Sequence, residues 1–199
     1  MTRVGLLALQ GGVAEHRRLL EGLGATVAPI RRPADLIGPD GLRVEALVLP
    51  GGESSTIDRL TRLFGLAEPL REAIEAGLPT LGTCAGLIML ASEVLDPAPG
   101  QQSLGGLAVS VRRNAWGRQL DSAQLKLATE WGDCEVAFIR APGIERVGPE
   151  VEVLARREGS PVAVRHGSII GLAFHPELTG EPLFHRRLLA QTVSVAPSF

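Results

Sequence analysis

Leu78-Pro-Thr-Leu-Gly-Thr-Cys-Ala-Gly-Leu-Ile-Met-Leu90 decides how the rest of the chain is read. An apolar run stops at Gly82-Thr-Cys-Ala-Gly86 and a second apolar run follows, the pattern of a strand, a sharp turn and a helix. Glycines two before and two after Cys84 let the backbone turn tightly and lift the thiol above the sheet edge. Such a segment is a G-x-nucleophile-x-G elbow. A thiol there lies in the positive field of a helix N-terminus, with free N–H groups beside it, which makes a better nucleophile. The alternative is a buried core thiol, since free Cys is among the most buried residue types. The flanking glycines have no purpose in that alternative.

Upstream, Val4-Gly-Leu-Leu-Ala-Leu9 is a continuous apolar run of the kind a strand buried on both faces shows, and Gly11-Gly12 breaks it. A helix over about 14–23 follows, with Leu19, Leu20 and Leu23 on its inner side and Glu15, His16, Arg17, Arg18 and Glu21 toward solvent. Residues 26–30 read as a second strand, and 33–43 as a connection with at most one helical turn. Ala46-Leu-Val-Leu49 is another buried-type strand that runs into Pro50-Gly-Gly-Glu-Ser-Ser55, after which Ile57, Leu60, Leu63 and Phe64 recur at helical spacing. Ser54 or Ser55 is expected to cap that helix, and the two glycines let backbone N–H groups approach a ligand. A further helix over 67–76 leads into the elbow. Beyond Leu95, shorter strands around 107–112, 123–129, 134–139, 151–155, 162–166 and 169–174 suit an antiparallel extension. A helix near 182–192 closes the chain. The fold class expected is α/β, a three-layer αβα sandwich with a mostly parallel central sheet, as one domain over residues 1–199.

Composition excludes several classes. A formal net charge of -2 with interspersed signs leaves no footprint for nucleic acid or an anionic membrane. Two cysteines, Cys84 and Cys134, without CxxC spacing, give neither a disulfide framework nor a zinc or redox motif, so no metal or cofactor is expected and a reducing, cytoplasmic setting is. The first apolar run ends too soon for a signal peptide or a spanning helix.

A cysteine nucleophile needs an imidazole to take its proton and return it to a leaving amine. Of four histidines, His16 and His185 sit among charged helix residues and His166 in a turn, contexts typical of the surface. His175 ends the apolar strand Ile169-Ile-Gly-Leu-Ala-Phe174 and precedes Pro176-Glu177. Proline holds His175 extended, and residues two apart in an extended segment face the same way, so the Glu177 carboxylate is placed to orient the ring. Cys84, His175 and Glu177 therefore form a candidate triad, recognised by roles and not by chain order. In parallel α/β sheets the loops at the carboxyl ends of the strands converge, so the 50–55 loop faces the elbow. The N–H groups of Gly52 and Ala85 are the candidate oxyanion donors.

Gly82-Thr-Cys-Ala-Gly86, Pro50-Gly-Gly-Glu-Ser54 and Phe174-His-Pro-Glu177 together resemble the class I (triad) glutamine amidotransferases. Leu7-Ala-Leu-Gln-Gly11 with Glu15-His16, Asn114-Ala-Trp-Gly-Arg-Gln119 with Asp121-Ser122, Phe138-Ile-Arg-Ala-Pro142 and Phe174-His-Pro-Glu-Leu178 narrow the likeness to the glutaminase subunits of pyridoxal 5′-phosphate synthases. The resemblance implies that Cys84 attacks the side-chain amide of L-glutamine, His175 protonates the departing ammonia and a glutamyl thioester is hydrolysed. By carry-over, Gly52, Glu53 and Ser54 hold glutamine, with Arg113, Ile139 and Arg140 completing the pocket. A guanidinium suits the free α-carboxylate of that substrate. The partner implied is a separate (β/α)₈ barrel synthase subunit in a large heteromeric complex, which receives the ammonia for vitamin B6 biosynthesis, and Gln10 is implicated in coupling the two. Rival readings are a free-standing cysteine amidase, a non-catalytic scaffold and a glutaminase serving another synthase.

Overall fold

The computed structural model describes residues 1–115 and 122–192. The chain begins β1 (Arg3–Leu7), α1 (Val13–Gly22), β2 (Thr26–Ile30), then one helical turn α2 (Pro33–Leu36) and a minimal hairpin of β3 (Ile37–Gly38) and β4 (Gly41–Leu42). β5 (Ala46–Leu49), α3 (Ser54–Leu63), α4 (Ala67–Glu75), β6 (Thr80–Thr83) and α5 (Ala85–Leu90) follow. The second half contains β7 (Ala91–Val94), β8 (Leu107–Arg112), β9 (Ser122–Leu127), β10 (Cys134–Ile139), β11 (Gly143–Val147), β12 (Glu152–Arg157), β13 (Ser160–His166) and β14 (Ile169–Leu172). Two helices close it, α6 (Pro176–Thr179) and α7 (Leu183–Thr192).

The main sheet has the order β12-β13-β14-β6-β5-β1-β2. From β14 to β2 every pairing is parallel, and β12 and β13 extend it as antiparallel strands. The strands that read as unbroken apolar runs are the inner ones: β5, β6 and β14 are buried throughout. The antiparallel extension is smaller than expected, because β8 pairs with β7 and β11 in one separate sheet and β9 with β10 in another. β7 and β11 escape the sequence reading because both are short and half polar, so their burial pattern shows no clear alternation.

Strand alternation sorts the helices into two layers. The Thr83 hydroxyl points toward α1, where it meets His16 Nε2 at 3.1 Å. Gly82, one residue earlier, faces the other way, toward α5: a Cβ there would lie 2.6 Å from the Gly86 carbonyl carbon. α1 and α7 therefore share one face, with α5, α3 and α4 on the other. The two glycines of the elbow owe their place to this packing. Gly86 leans on β5 so closely that a Cβ would come within 2.0 Å of the Leu49 carbonyl oxygen. Neither glycine bends the chain; the turn itself is made by Cys84, at φ 49 and ψ -101. Gly86→Ala is thus expected to lower unfolding free energy by about 1–3 kcal/mol, or more where the backbone of β5 cannot yield. Urea denaturation with an unchanged m-value checks it.

The cap of α3 also differs from expectation. Glu53, not a serine, is the N-cap, and its carboxylate accepts from the Ser55 N–H and hydroxyl. Among the described residues, no helix is long and apolar enough to cross a membrane.

Candidate active site

The main sheet reverses its winding between β1 and β5: the chain steps from β1 outward to β2 and then returns to the other side of β1. At such a switch point the loops after adjacent strands part and leave a crevice at their carboxyl ends. The loop after β1 carries Gln10, Gly11 and Gly12, and the loop after β5 carries Gly51, Gly52 and Glu53. They touch through backbone, since the Gly12 N–H donates to the Gly51 carbonyl at 3.0 Å. A Cβ on Gly11, which sits at φ 98, would lie 1.8 Å from that same oxygen, so only glycine fits. The elbow after β6 and the segment after β14 complete the ring.

These ends enclose a cavity of about 430 Å³, a size suited to a small metabolite. Cys84, His175 and Glu177 line it, as do Gln10, Gly52, Glu53, Ser54, Arg113, Ile139 and Arg140. All the side chains singled out from the sequence thus meet in one place. Ala85 is buried behind the cavity at the first position of α5, where the N–H groups have no intrahelical acceptor. Trp116 to Asp121, which carry part of the family likeness, lie outside the described residues.

Cys84 occupies a strained backbone position, held because its N–H donates to the Leu172 carbonyl at 2.7 Å and its carbonyl accepts from Ile88. Its sulfur lies 4.0 Å from the Ile139 carbonyl oxygen. The second thiol makes a contrast. Cys134 faces the Leu127 carbonyl at 3.5 Å, and burial, with smaller pushes from Glu181 and Asp133, raises it to about 11, so it remains protonated and inert.

His175 is extended at φ -119, as the following proline requires, and exchanges both backbone hydrogen bonds with Ala137 on β10. Glu177 Oε1 lies 2.7 Å from His175 Nδ1. The route to that contact differs from the expectation: Glu177 belongs to the first turn of α6 and not to a continued strand. Burial alone would push the His175 ring down, yet its hydrogen bonds and charge contacts with Cys84 and Glu177 outweigh this and raise it to about 10. Glu177 is itself held below the usual carboxylate range. Burial acts against this, and the field of His16 and the hydrogen bond from His175 overcome it. Gly51 packs on the same ring, where a Cβ would come within 2.3 Å of His175 Cε1 and 3.4 Å of Cys84 Cβ. Gly51 therefore packs closely against both His175 and Cys84.

The remaining polar groups hold one another. Arg113 Nη2 donates to Glu53 Oε1 at 3.1 Å and Nη1 to Gln101 Oε1 at 3.2 Å, while Gln101 Nε2 donates to the Ser54 hydroxyl at 3.0 Å. Gln10 Oε1 accepts from the Glu53 N–H at 2.9 Å, laying the amide across the glycine loop. Gln101 was not singled out from the sequence, because its loop carries no periodic signal.

Two histidines correct the sequence reading. His16 and His185, expected on the surface, are both fully buried. His16 Nδ1 lies 2.9 Å from His185 Nε2, and His16 Nε2 lies 3.6 Å from Glu177 Oε1. The missed signal was present, since His16 precedes Leu20 by four residues and His185 precedes Leu188 by three, which places each on the inner stripe of its helix.

The pyridoxal 5′-phosphate synthase subunit PdxT of Frankia alni is 53% identical over 187 residues, covering 92% of each chain. That of Acidothermus cellulolyticus is 48% identical over 202 residues, covering 98% of this chain and 95% of the relative. A crystal structure of a glutamine amidotransferase superposes with a TM-score of 0.87 at 43% identity, over 96% of this chain and 98% of that one. The SNO glutamine amidotransferase family matches residues 6–194, and the chain belongs to that family.

Proposed function

We propose that the chain hydrolyses L-glutamine to L-glutamate and ammonia and delivers the ammonia to a barrel synthase subunit that builds pyridoxal 5′-phosphate, the assembly named for its relatives. The observation that carries this reading is the convergence of Cys84, His175 and Glu177 in one cavity, with Glu177 Oε1 2.7 Å from His175 Nδ1. In the proposed reaction the Cys84 sulfur attacks the side-chain amide carbon, and the tetrahedral oxyanion is held by the N–H groups of Gly52 and Ala85. Support for this pair comes from Gly51, which packs against Cys84 and His175 immediately before Gly52, and from Ala85 opening α5. His175, charged as an imidazolium, gives its Nε2 proton to the departing nitrogen, so ammonia leaves and a glutamyl thioester remains. Water, deprotonated by the now neutral His175, attacks the thioester and releases glutamate. Glu177 keeps the ring in the tautomer that presents Nε2 throughout.

Glu53, Ser54, Ile139 and Arg140 form the walls around glutamine. Arg113 offers its remaining guanidinium hydrogens to the α-carboxylate while Glu53 and Gln101 hold its plane. Gln10 couples the site to the synthase, a role supported by its hydrogen bond to the loop that supplies Gly52. The test is ammonia release from glutamine with and without the cognate synthase. Stimulated release is expected, diminished in Gln10→Ala. Equal release without synthase would instead indicate a self-sufficient amidase.

A further inference from the structure

The mechanism above leaves a buried polar cluster unused. His16, Thr83 and His185 are each 0% exposed, yet they come from three separate elements: α1, β6 and α7. One ring ties them together. His16 Nε2 lies 3.1 Å from the Thr83 hydroxyl and 3.6 Å from Glu177 Oε1, and Nδ1 lies 2.9 Å from His185 Nε2. Thr83 immediately precedes Cys84, so a single imidazole touches both the strand that presents the nucleophile and the carboxylate that orients the base.

The proton positions follow from the partners. Glu177 Oε1 only accepts, so the His16 proton belongs on Nε2, facing it and the threonine hydroxyl. His16 Nδ1 is then a lone pair and accepts from His185 Nε2–H. This leaves His185 Nδ1 as a bare lone pair, and that atom is buried without a hydrogen-bond partner. The opposite arrangement would bury an unpaired N–H there, which folded proteins rarely tolerate. Both imidazole N–H groups in the row therefore point toward Glu177. Burial holds both rings neutral: it is the main cause lowering His185 well below its ordinary value and lowering His16 too, against the pull of Glu177.

We infer that His16 is a positioning residue for the hydrolytic reaction, directing a neutral Nε2–H at Glu177 so that the carboxylate stays ionised and aligned on His175, with His185 fixing the tautomer from behind. The inference rests on the triad proposed above. His16 acts without touching substrate, since no part of it is exposed. The other charged and titratable groups around the pair are Cys84 on the elbow, Glu15 on α1, and Glu53, Arg113 and Arg140 across the cavity. None of these reaches Glu177 from the buried side.

The test compares His16→Leu with His16→Gln in the synthase-activated complex across pH. In His16→Leu, kcat is expected to fall about tenfold to a hundredfold, the range typical of a second-tier partner. KM should stay the same, because only positioning of the reacting groups is lost. The alkaline limb of the profile should move to lower pH, since a less firmly ionised Glu177 holds the His175 proton less tightly. His16→Gln, whose amide N–H reaches the same place, should recover most of the rate and the limb. A rate that merely follows the folded fraction, with the limb unmoved, overturns the inference, as does a Gln variant no better than Leu. Should neither variant fold, nitrogen-15 spectra of the wild-type imidazoles decide. Neutral Nε2–H tautomers of His16 and His185 at pH 7 are expected, and a protonated or Nδ1–H His16 refutes it. Cys84→Ala separates the two levels: activity surviving there sinks the triad itself, whereas an inactive Cys84→Ala beside an unmoved limb in the His16 variants sinks only this inference.

Discussion

Replacing Cys84 by alanine is expected to abolish synthase-stimulated ammonia release, by about four orders of magnitude or more, because no other group can form the covalent intermediate. Cys134 offers no substitute, since it is buried on the Leu127 carbonyl and held protonated. Folding should survive. Cys84 is 7% exposed at the rim of a cavity, and removal of its thiol leaves the flanking close contacts of Gly82 and Gly86 untouched. A second substitution at the same position sharpens the argument. Cys84 sits at φ 49 and ψ -101, a conformation that costs a side-chain-bearing residue about 1–3 kcal/mol. Cys84→Gly should therefore be more stable than Cys84→Ala by roughly 1 kcal/mol, even though both are inactive. Thermal or urea unfolding of the pair checks this. Equal stabilities would mean that the elbow stores no strain, and measurable release by Cys84→Ala would remove the nucleophile from the proposed mechanism.

Glu177→Gln carries the second largest effect, a loss in kcat of about 10²–10⁴ with little change in global structure. The carboxylate is buried, accepts from His175 Nδ1 at 2.7 Å through Oε1, and the same oxygen faces His16 Nε2 at 3.6 Å. An amide fills the same volume but can present N–H where an acceptor is required, which makes Nδ1 the acceptor and puts the neutral ring's proton on Nε2, where a lone pair is needed to take the Cys84 proton. The pH dependence follows from the direction of each shift. His175 is raised from 6.5 to about 10, so its contribution to stability is complete below 6.5 and is lost as pH rises toward 10. Glu177 is lowered from 4.5, so its contribution is present above 4.5 and is lost as pH falls through its folded value. Removing the carboxylate lowers the His175 value, because one of the two partners that raised it is gone. Wild-type stability should thus decline more steeply than Glu177→Gln between pH 7 and about pH 10. The ammonia-release profile should lose its alkaline limb at lower pH in the variant. Parallel melting curves at several pH values, together with that profile, test both; identical slopes would show that Glu177 does not hold the imidazolium.

The sequence by itself determined the sheet and most of the cavity. Unbroken apolar runs at 4–9 and 46–49, each ending in a glycine-rich turn before helical periodicity, read as buried parallel strands feeding helices, and loops at the carboxyl ends of such strands converge. Cys84, His175, Glu177 and Gly52 were candidates for that reason, as residues at the ends of such strands, whereas Arg113 came from the family likeness alone. Tertiary structure decided what depends on which surfaces meet. The glycines beside Cys84 were legible as a motif, yet their purpose, the approach of α5 to within contact of β6 and the β5 backbone, appears only once three elements are packed. His16 and His185 carry helical charges as neighbours, so local context placed them in solvent, although the spacing to Leu20 and Leu188 pointed inward. What drew them in is mutual: each ring finds its hydrogen-bond partner on a distant element, 169 residues away in the chain, and neither could be buried without the other. Local sequence records what a segment prefers, whereas a buried polar pair is stabilised by a partner that only the completed fold supplies.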